Sequence, residues 1–84
     1  MAYEINFKKS VAKDLKKLDH ADARRILDRI AEELPEMADS LPVLKGRFAG
    51  LRKYRIGDYR IVFAILDQTL LITRIRHRRD VYRT

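Results

Sequence analysis

From Leu51 onward, three strand-like runs follow one another with only two or three residues between them. "LRKYRI" passes through Gly57-Asp58 into "YRIVFAIL", which passes through Asp67-Gln68 into "LLITRIR". Runs rich in β-branched and aromatic residues, joined by residues that tolerate a positive φ, read as hairpins. Two hairpins in succession dictate an antiparallel meander, because links this short leave no room for the helix of a parallel crossover.

The segment before the meander must supply what covers it. "AYEINF" alternates Tyr3, Ile5 and Phe7 against polar or small neighbours, the period of a half-buried strand. From Lys8 the period lengthens: Val11, Leu15 and Leu18 recur at helical spacing among lysines, predicting a short amphipathic helix that ends before Asp19. Asp19 is the expected N-cap of a second helix, its carboxylate accepting a first-turn amide, with Asp22 favourable near the positive end of the dipole. Ala23, Ile26, Leu27, Ile30, Ala31 and Leu34 form the apolar stripe of that helix. Pro35 predicts a kink or stop there, and residues 37–44 a connection containing a further turn. Pro42 and Gly46 mark the passage into sheet.

The order is therefore β-α-α-β-β-β. Two helices cover only one face of four strands, which predicts an α+β fold of two layers with a mainly antiparallel four-stranded sheet and an open opposite face. Eighty-four residues bury one modest core, so residues 1–84 are expected to form a single domain. No run approaches the roughly 20 apolar residues of a spanning helix, and the first residues enter directly into a strand pattern, which predicts a cytoplasmic protein away from the membrane. With no cysteine, and with His20 and His77 far apart, neither a disulfide framework nor a local metal motif is on offer, and no metal or cofactor is expected.

Charge is unevenly spread. Residues 1–51 hold 10 Lys/Arg against 9 Asp/Glu, whereas residues 52–84 hold 9 against 3, so the second segment carries nearly all of the net +7. Such a surface suits a polyanion such as nucleic acid. Alternation places Arg52, Tyr54 and Ile56 on one side of their strand and Leu51, Lys53 and Arg55 on the other. Tyr59, Ile61, Phe63 and Ile65 form a core-facing row, which sends Arg60, Val62, Ala64 and Leu66 to the open face. In the last strand Leu70, Ile72 and Arg74 are expected to face outward too. Exposed cations are commonly a solvated face. Their clustering beside an apolar strip instead suggests two ligands, an anion for the basic end and a protein for Val62, Ala64 and Leu66. Just after the last strand, "RIRHRRDVYR" adds Arg76, His77, Arg78 and Tyr82 to the cluster. An imidazole ordinarily titrates near neutrality and suits proton transfer.

At these residues the sequence resembles the RelE toxins of the RelE/ParE superfamily, the toxic halves of type II toxin-antitoxin systems. "LKGRFAGLRKYRIGDYRIVFAI" and "RIRHRRDVYR" carry the resemblance, and the inferred element order matches the RelE-like microbial ribonuclease fold over essentially the whole chain. It implies a metal-independent, ribosome-dependent mRNA endoribonuclease that enters the ribosomal A site, inhibits translation, and is silenced by a RelB-like antitoxin. Carried over by position, the implied catalytic set is Lys53, Arg60, Arg78 and Tyr82. Arg52, Arg55, Arg76 and His77 are the accompanying RNA-binding set, and Val62, Ala64 and Leu66 the antitoxin-binding strip.

Cleavage would proceed by attack of a ribose 2′-hydroxyl on the adjacent phosphorus, with Arg60 and Arg78 stabilising the charge that gathers on the phosphoryl oxygens. Lys53, Tyr82 and His77 remain candidates for the base, Lys53 being favoured. Tyr82 either stacks on the codon or joins in proton transfer, and Arg78 stands near the leaving group. Two other functions fit the same fold: a ParE-like gyrase poison without nuclease activity, and a small RNA-binding module without catalysis.

Overall fold

A computed structural model describes residues 3–44 and 50–78. In chain order the elements are strand β1 (Glu4–Phe7), helices α1 (Lys9–Lys16) and α2 (His20–Met37), a 3-10 turn (Ala38–Ser40), and strands β2 (Leu51–Ile56), β3 (Tyr59–Leu66) and β4 (Thr69–His77). The sheet order is β1-β4-β3-β2, with β1 parallel to β4 and the other pairs antiparallel. Gly57 and Asp67, the first residues of the two hairpin turns, both take positive φ, at 55° and 54°. No helix among the described residues is long and apolar enough to cross a membrane.

The helices lie on one face. Val11 of α1 and Ile26, Ile30 and Leu34 of α2 are buried against Tyr54, Ile56, Ile61, Phe63, Leu70, Ile72 and Ile75 of the sheet. The apolar stripe of α2 is narrower than its sequence pattern, since Leu27 is half-buried and Ala31 exposed. Pro35 does not stop the helix, which continues to Met37. A proline removes the amide that would bond the carbonyl four residues earlier. Here that is Ala31, on the exposed side, where water can serve the carbonyl instead. Asp19 occupies the N-cap with extended backbone, but its carboxylate makes no capping bond. Its main-chain carbonyl accepts the Ala23 N–H at 2.9 Å instead.

β4 departs most from the simple reading. Leu70 and Ile72 are completely buried in the core and do not face outward. Their partners are Ile65 and Phe63, but the next pair is Val62 with Arg74, so Thr73 is an extra residue that shifts the register. This β-bulge resolves a conflict in the sequence. Under strict alternation, burying Leu70 and Ile72 would drag Arg74 and Arg76 into the core as well. With one residue inserted, Ile75 is buried instead and the arginines lie opposite Val62 and Arg60.

The bulge sits where β4 loses its partner on one edge. β1 pairs only as far as Phe7 with Ile72. Beyond that point the main chain and α1 take over: the Lys8 N–H donates to the Ile72 carbonyl at 2.9 Å, and Ser10 Oγ to the Thr73 carbonyl at 2.7 Å. Asp14, only 6% exposed, accepts from the Ile75 N–H at 2.9 Å and from Arg74 Nε and Nη2 at 3.1 Å each. A strand edge left unpaired in an apolar layer is costly, and side chains of α1 satisfy it here. On the opposite edge, the Leu44 N–H donates to the Leu51 carbonyl at 2.7 Å and the Lys53 N–H to that of Pro42 at 3.3 Å.

Asp14→Asn should therefore cost about 1–3 kcal/mol, less than breaking a wholly buried ion pair because the Arg74 side chain is 40% exposed. Urea denaturation measures the loss, and amide exchange at Ile75 should accelerate; an unchanged midpoint would show that the carboxylate does not hold the bulge. A second expectation concerns the contact between layers. The Tyr54 hydroxyl donates to Glu33 Oε1 at 2.5 Å, and burial followed by that bond raises the Tyr54 pKa from 10.0 to about 12. A raised phenol stabilises the fold fully below its unfolded pKa, and that contribution disappears as pH climbs through the folded value. The stability gap between wild type and Tyr54→Phe should thus be constant from neutral pH up to pH 10 and close toward pH 12. A gap that persists unchanged in alkaline denaturation curves would contradict the assignment.

Candidate functional site

Three arginines stand in line across the open face. Arg55 of β2 lies opposite Arg60 of β3, and Arg60 lies opposite Arg76 of β4. Side chains directly opposed in a sheet have Cβ atoms about 5 Å apart, and like charges so placed destabilise it. Among the described residues, no carboxylate forms an ion pair with any of the three. The next rung is Lys53, Val62 and Arg74, followed by Leu51, Ala64 and Leu71. Leu66, 54% exposed, ends the apolar stretch. The face is thus basic toward the Gly57-Asp58 turn and apolar toward the Asp67-Gln68 turn. Beside that second turn a cleft of about 740 Å³ is lined by Glu32, Glu36, Asp39 and Asp67 among others, so the two ends of the molecule carry opposite charge.

The residues singled out from sequence divide. Lys53, Arg55, Arg60 and Arg76 gather on the open face. Arg78 lies just past them; its N–H donates to the Asp58 carbonyl at 2.7 Å, tying it to the β2–β3 turn. Val62, Ala64 and Leu66 form the apolar strip, with Leu51 and Leu71 in place of Leu70 and Ile72. Two predicted RNA contacts do not join the cluster. Arg52 lies opposite Phe63 on the helix side, and its Nη1 donates to the carbonyls of Asp39 at 3.1 Å and Leu41 at 2.8 Å. His77 lies opposite Tyr59, also on the helix side, with the two rings edge to face at 5.1 Å. Arg74 turns away over the edge to Asp14. Tyr82 falls outside the described residues.

The phenols near the sheet are poor bases. Burial foremost, then the Asp22 carboxylate, raises Tyr59; the Asp39 hydrogen bond raises Tyr3; and Tyr54 reaches about 12. Each is thereby held protonated at neutral pH. The hydrogen bond from Tyr54 also lowers Glu33. Among the described residues, no group of three or more His, Asp or Glu side chains is placed to hold a metal ion. What the arginine row offers is paired N–H donors, which suit phosphate oxygens. Sequence reasoning missed Asp14, although one signal was present. It falls on the apolar stripe of α1 between Val11 and Leu15, a carboxylate where helical spacing asks for a hydrophobic side chain.

The molecule is thus a two-layer α+β domain whose open sheet face is basic at one end and apolar at the other. The profile of the ParE toxin of type II toxin-antitoxin system, parDE, matches residues 5–82, and the chain belongs to this family, within the RelE/ParE toxin superfamily. Solved structures agree. The toxin-antitoxin complex RelBE2 from Mycobacterium tuberculosis is 26% identical with a TM-score of 0.83, over 92% of this chain and 99% of that one. The archaeal RelE-RelB complex from Pyrococcus horikoshii OT3 is 28% identical with a TM-score of 0.68, over 100% of both chains. The chromosomal ParDE system from P. aeruginosa, at 16% identity and a TM-score of 0.73 over 90% of this chain and 96% of that one, has the same fold. No protein of curated function matches the sequence.

A row of opposed arginines is a stability cost, so removing its centre should strengthen the fold. Arg60→Gln should gain about 0.2–1 kcal/mol at low ionic strength. The gain should vanish near 1 M salt, where the Debye length is about 3 Å. Urea midpoints at the two salt concentrations measure it. A variant less stable than wild type at both would mean that Arg60 is a structural residue.

Proposed function

We propose that this toxin is a metal-independent endoribonuclease acting on mRNA in the ribosomal A site, with the arginine row as its phosphate-binding centre. The observation that carries this reading is the line of Arg55, Arg60 and Arg76, opposed across three strands without a carboxylate partner among the described residues. The RelE-RelB relatives at 26% and 28% identity lend support. In the reaction a ribose 2′-hydroxyl attacks the neighbouring phosphorus and loses its proton. The phosphorane collapses with cleavage of the bond to the 5′-oxygen, leaving a 2′,3′-cyclic phosphate and a 5′-hydroxyl once that oxygen gains a proton. Arg60 and Arg78 stabilise the charge that peaks on the phosphoryl oxygens, and Arg76, opposite Arg60, adds a further phosphate contact. Lys53 takes the hydroxyl proton, and Arg78 and Tyr82 attend the leaving oxygen. A RelB-like antitoxin lies over Val62, Ala64 and Leu66, with acidic residues toward the arginines. In the cell such a protein acts in the cytoplasm.

The family profile favours one other reading, poisoning of gyrase by a ParE-like toxin. A poison that works by protein contact gives Arg60 no role in a chemical step. Arg60→Ala should slow single-turnover cleavage of ribosome-bound mRNA by roughly 10² to 10³ while affinity for the ribosome falls much less, because an interaction with developing charge is strongest in the transition state. An unchanged rate removes Arg60 from the site. Wild-type toxin that spares mRNA and traps gyrase on broken DNA replaces the nuclease reading altogether.

A further inference from the structure

Where the arginine row reaches the edge of the sheet, β4 and the end of α1 enclose a cleft of about 270 Å³, lined by Asp14, Lys17, Leu18, Arg74, Ile75, Arg76 and His77. It is just under the roughly 300 Å³ at which small-molecule pockets begin, enough for a phosphate with its sugar. Three cations border it, Lys17, Arg74 and Arg76. The one carboxylate, Asp14, is buried, and its oxygens are already occupied by Arg74 and the Ile75 N–H. Positive charge around the cleft therefore exceeds negative. Arg76 belongs to both places: it closes the arginine row opposite Arg60 and it borders the cleft. A backbone laid along Arg55, Arg60 and Arg76 would pass over the β4 edge into this cleft. No strand covers that edge beyond Ile72, where side chains of α1 take the place of β1.

We infer that the cleft between α1 and β4 is a second phosphate subsite for single-stranded RNA, holding the backbone next to the segment on the arginine row, with Lys17 as the contact supplied from outside the sheet. This rests on the reading of the open face as an RNA surface. The bulge and Asp14 make the subsite possible. They hold Arg74 over the edge and set Arg76 at the boundary, while Lys17, exposed at the C-cap of α1, supplies a mobile ammonium. Arginine forks fix a phosphate in orientation, and a lysine follows it as a point charge. RNA is favoured over an acidic protein segment by continuity with the arginine row and by the absence of an apolar floor beyond Leu18 and Ile75.

The test uses the whole toxin and 2′-O-methyl oligouridylate, which cannot undergo attack by its own 2′-hydroxyl. Binding is measured across a salt series for a trinucleotide and for a longer oligomer. Each phosphate contact on a single strand contributes about 0.7 to the slope of log affinity against log salt. Lys17→Gln should reduce the slope by about 0.7 for the longer oligomer and leave the trinucleotide unchanged. Lys13→Gln removes the same charge from an exposed site on α1 that does not line the cleft, and it should leave both slopes as in wild type. Equal effects of the two variants would reduce the cleft to a general field and overturn the subsite. So would a Lys17→Gln slope that stays unchanged while affinity for an acidic antitoxin peptide falls, which would give the cleft to a protein. Wild-type toxin without salt-dependent affinity for the oligomer would overturn the RNA reading itself, and the subsite with it.

Discussion

The β4 arginines reach the open face because of one extra residue in that strand. Thr73 lets Leu70, Ile72 and Ile75 all enter the core while Arg74 and Arg76 stay out, and Asp14 holds that irregularity by taking the Ile75 N–H and the Arg74 guanidinium together. A bulge disrupts the ladder locally and persists only where the freed groups find partners. The partners come from α1, whose Ser10 and Asp14 continue along β4 the edge that β1 begins. Helix, strand edge and arginine row are thus a single arrangement, and the row cannot be described apart from the buried carboxylate on the far side of the strand.

The same face divides into two parts with different physics. Toward the Gly57-Asp58 turn, opposed cations weaken the sheet and await an anion. Toward the Asp67-Gln68 turn, Leu51, Ala64, Leu71 and the exposed Leu66 leave apolar area that a protein partner can cover. An acidic cleft at that second end gives the molecule a polarity that turns its basic end toward a polyanion. A toxin whose ligand surface is unfavourable in isolation gains stability when an antitoxin or a nucleic acid neutralises it.

Much of this was legible beforehand for stated reasons. Two-residue turns with a glycine or an aspartate at the positive-φ position fixed the meander, and Tyr59, Ile61, Phe63 and Ile65 alternate cleanly because β3 is a central strand with one face on the helices. The placement of Lys53, Arg55 and Arg60 follows from those two facts. Charge and proximity in sequence group Arg52 and His77 with the RNA contacts, while alternation already sets Arg52 beside Tyr54 and Ile56 on the other face. Both lie on the helix side, where Arg52 finds two carbonyls and His77 the ring of Tyr59. The outward reading of Leu70 and Ile72 failed because alternation has no means of registering a bulge.

The sequence by itself determined the element order, the two layers, the basic character of the second segment and the core row of β3, since each follows from periodicity, turn chemistry or charge count within a short window. Tertiary structure alone decided which arginines share a row and what satisfies the exposed half of β4. Those depend on register between strands far apart in the chain and on a carboxylate sixty residues from its arginine partner. A hydrogen bond of that kind is chosen by the packing of α1 against β4, and no local pattern encodes it.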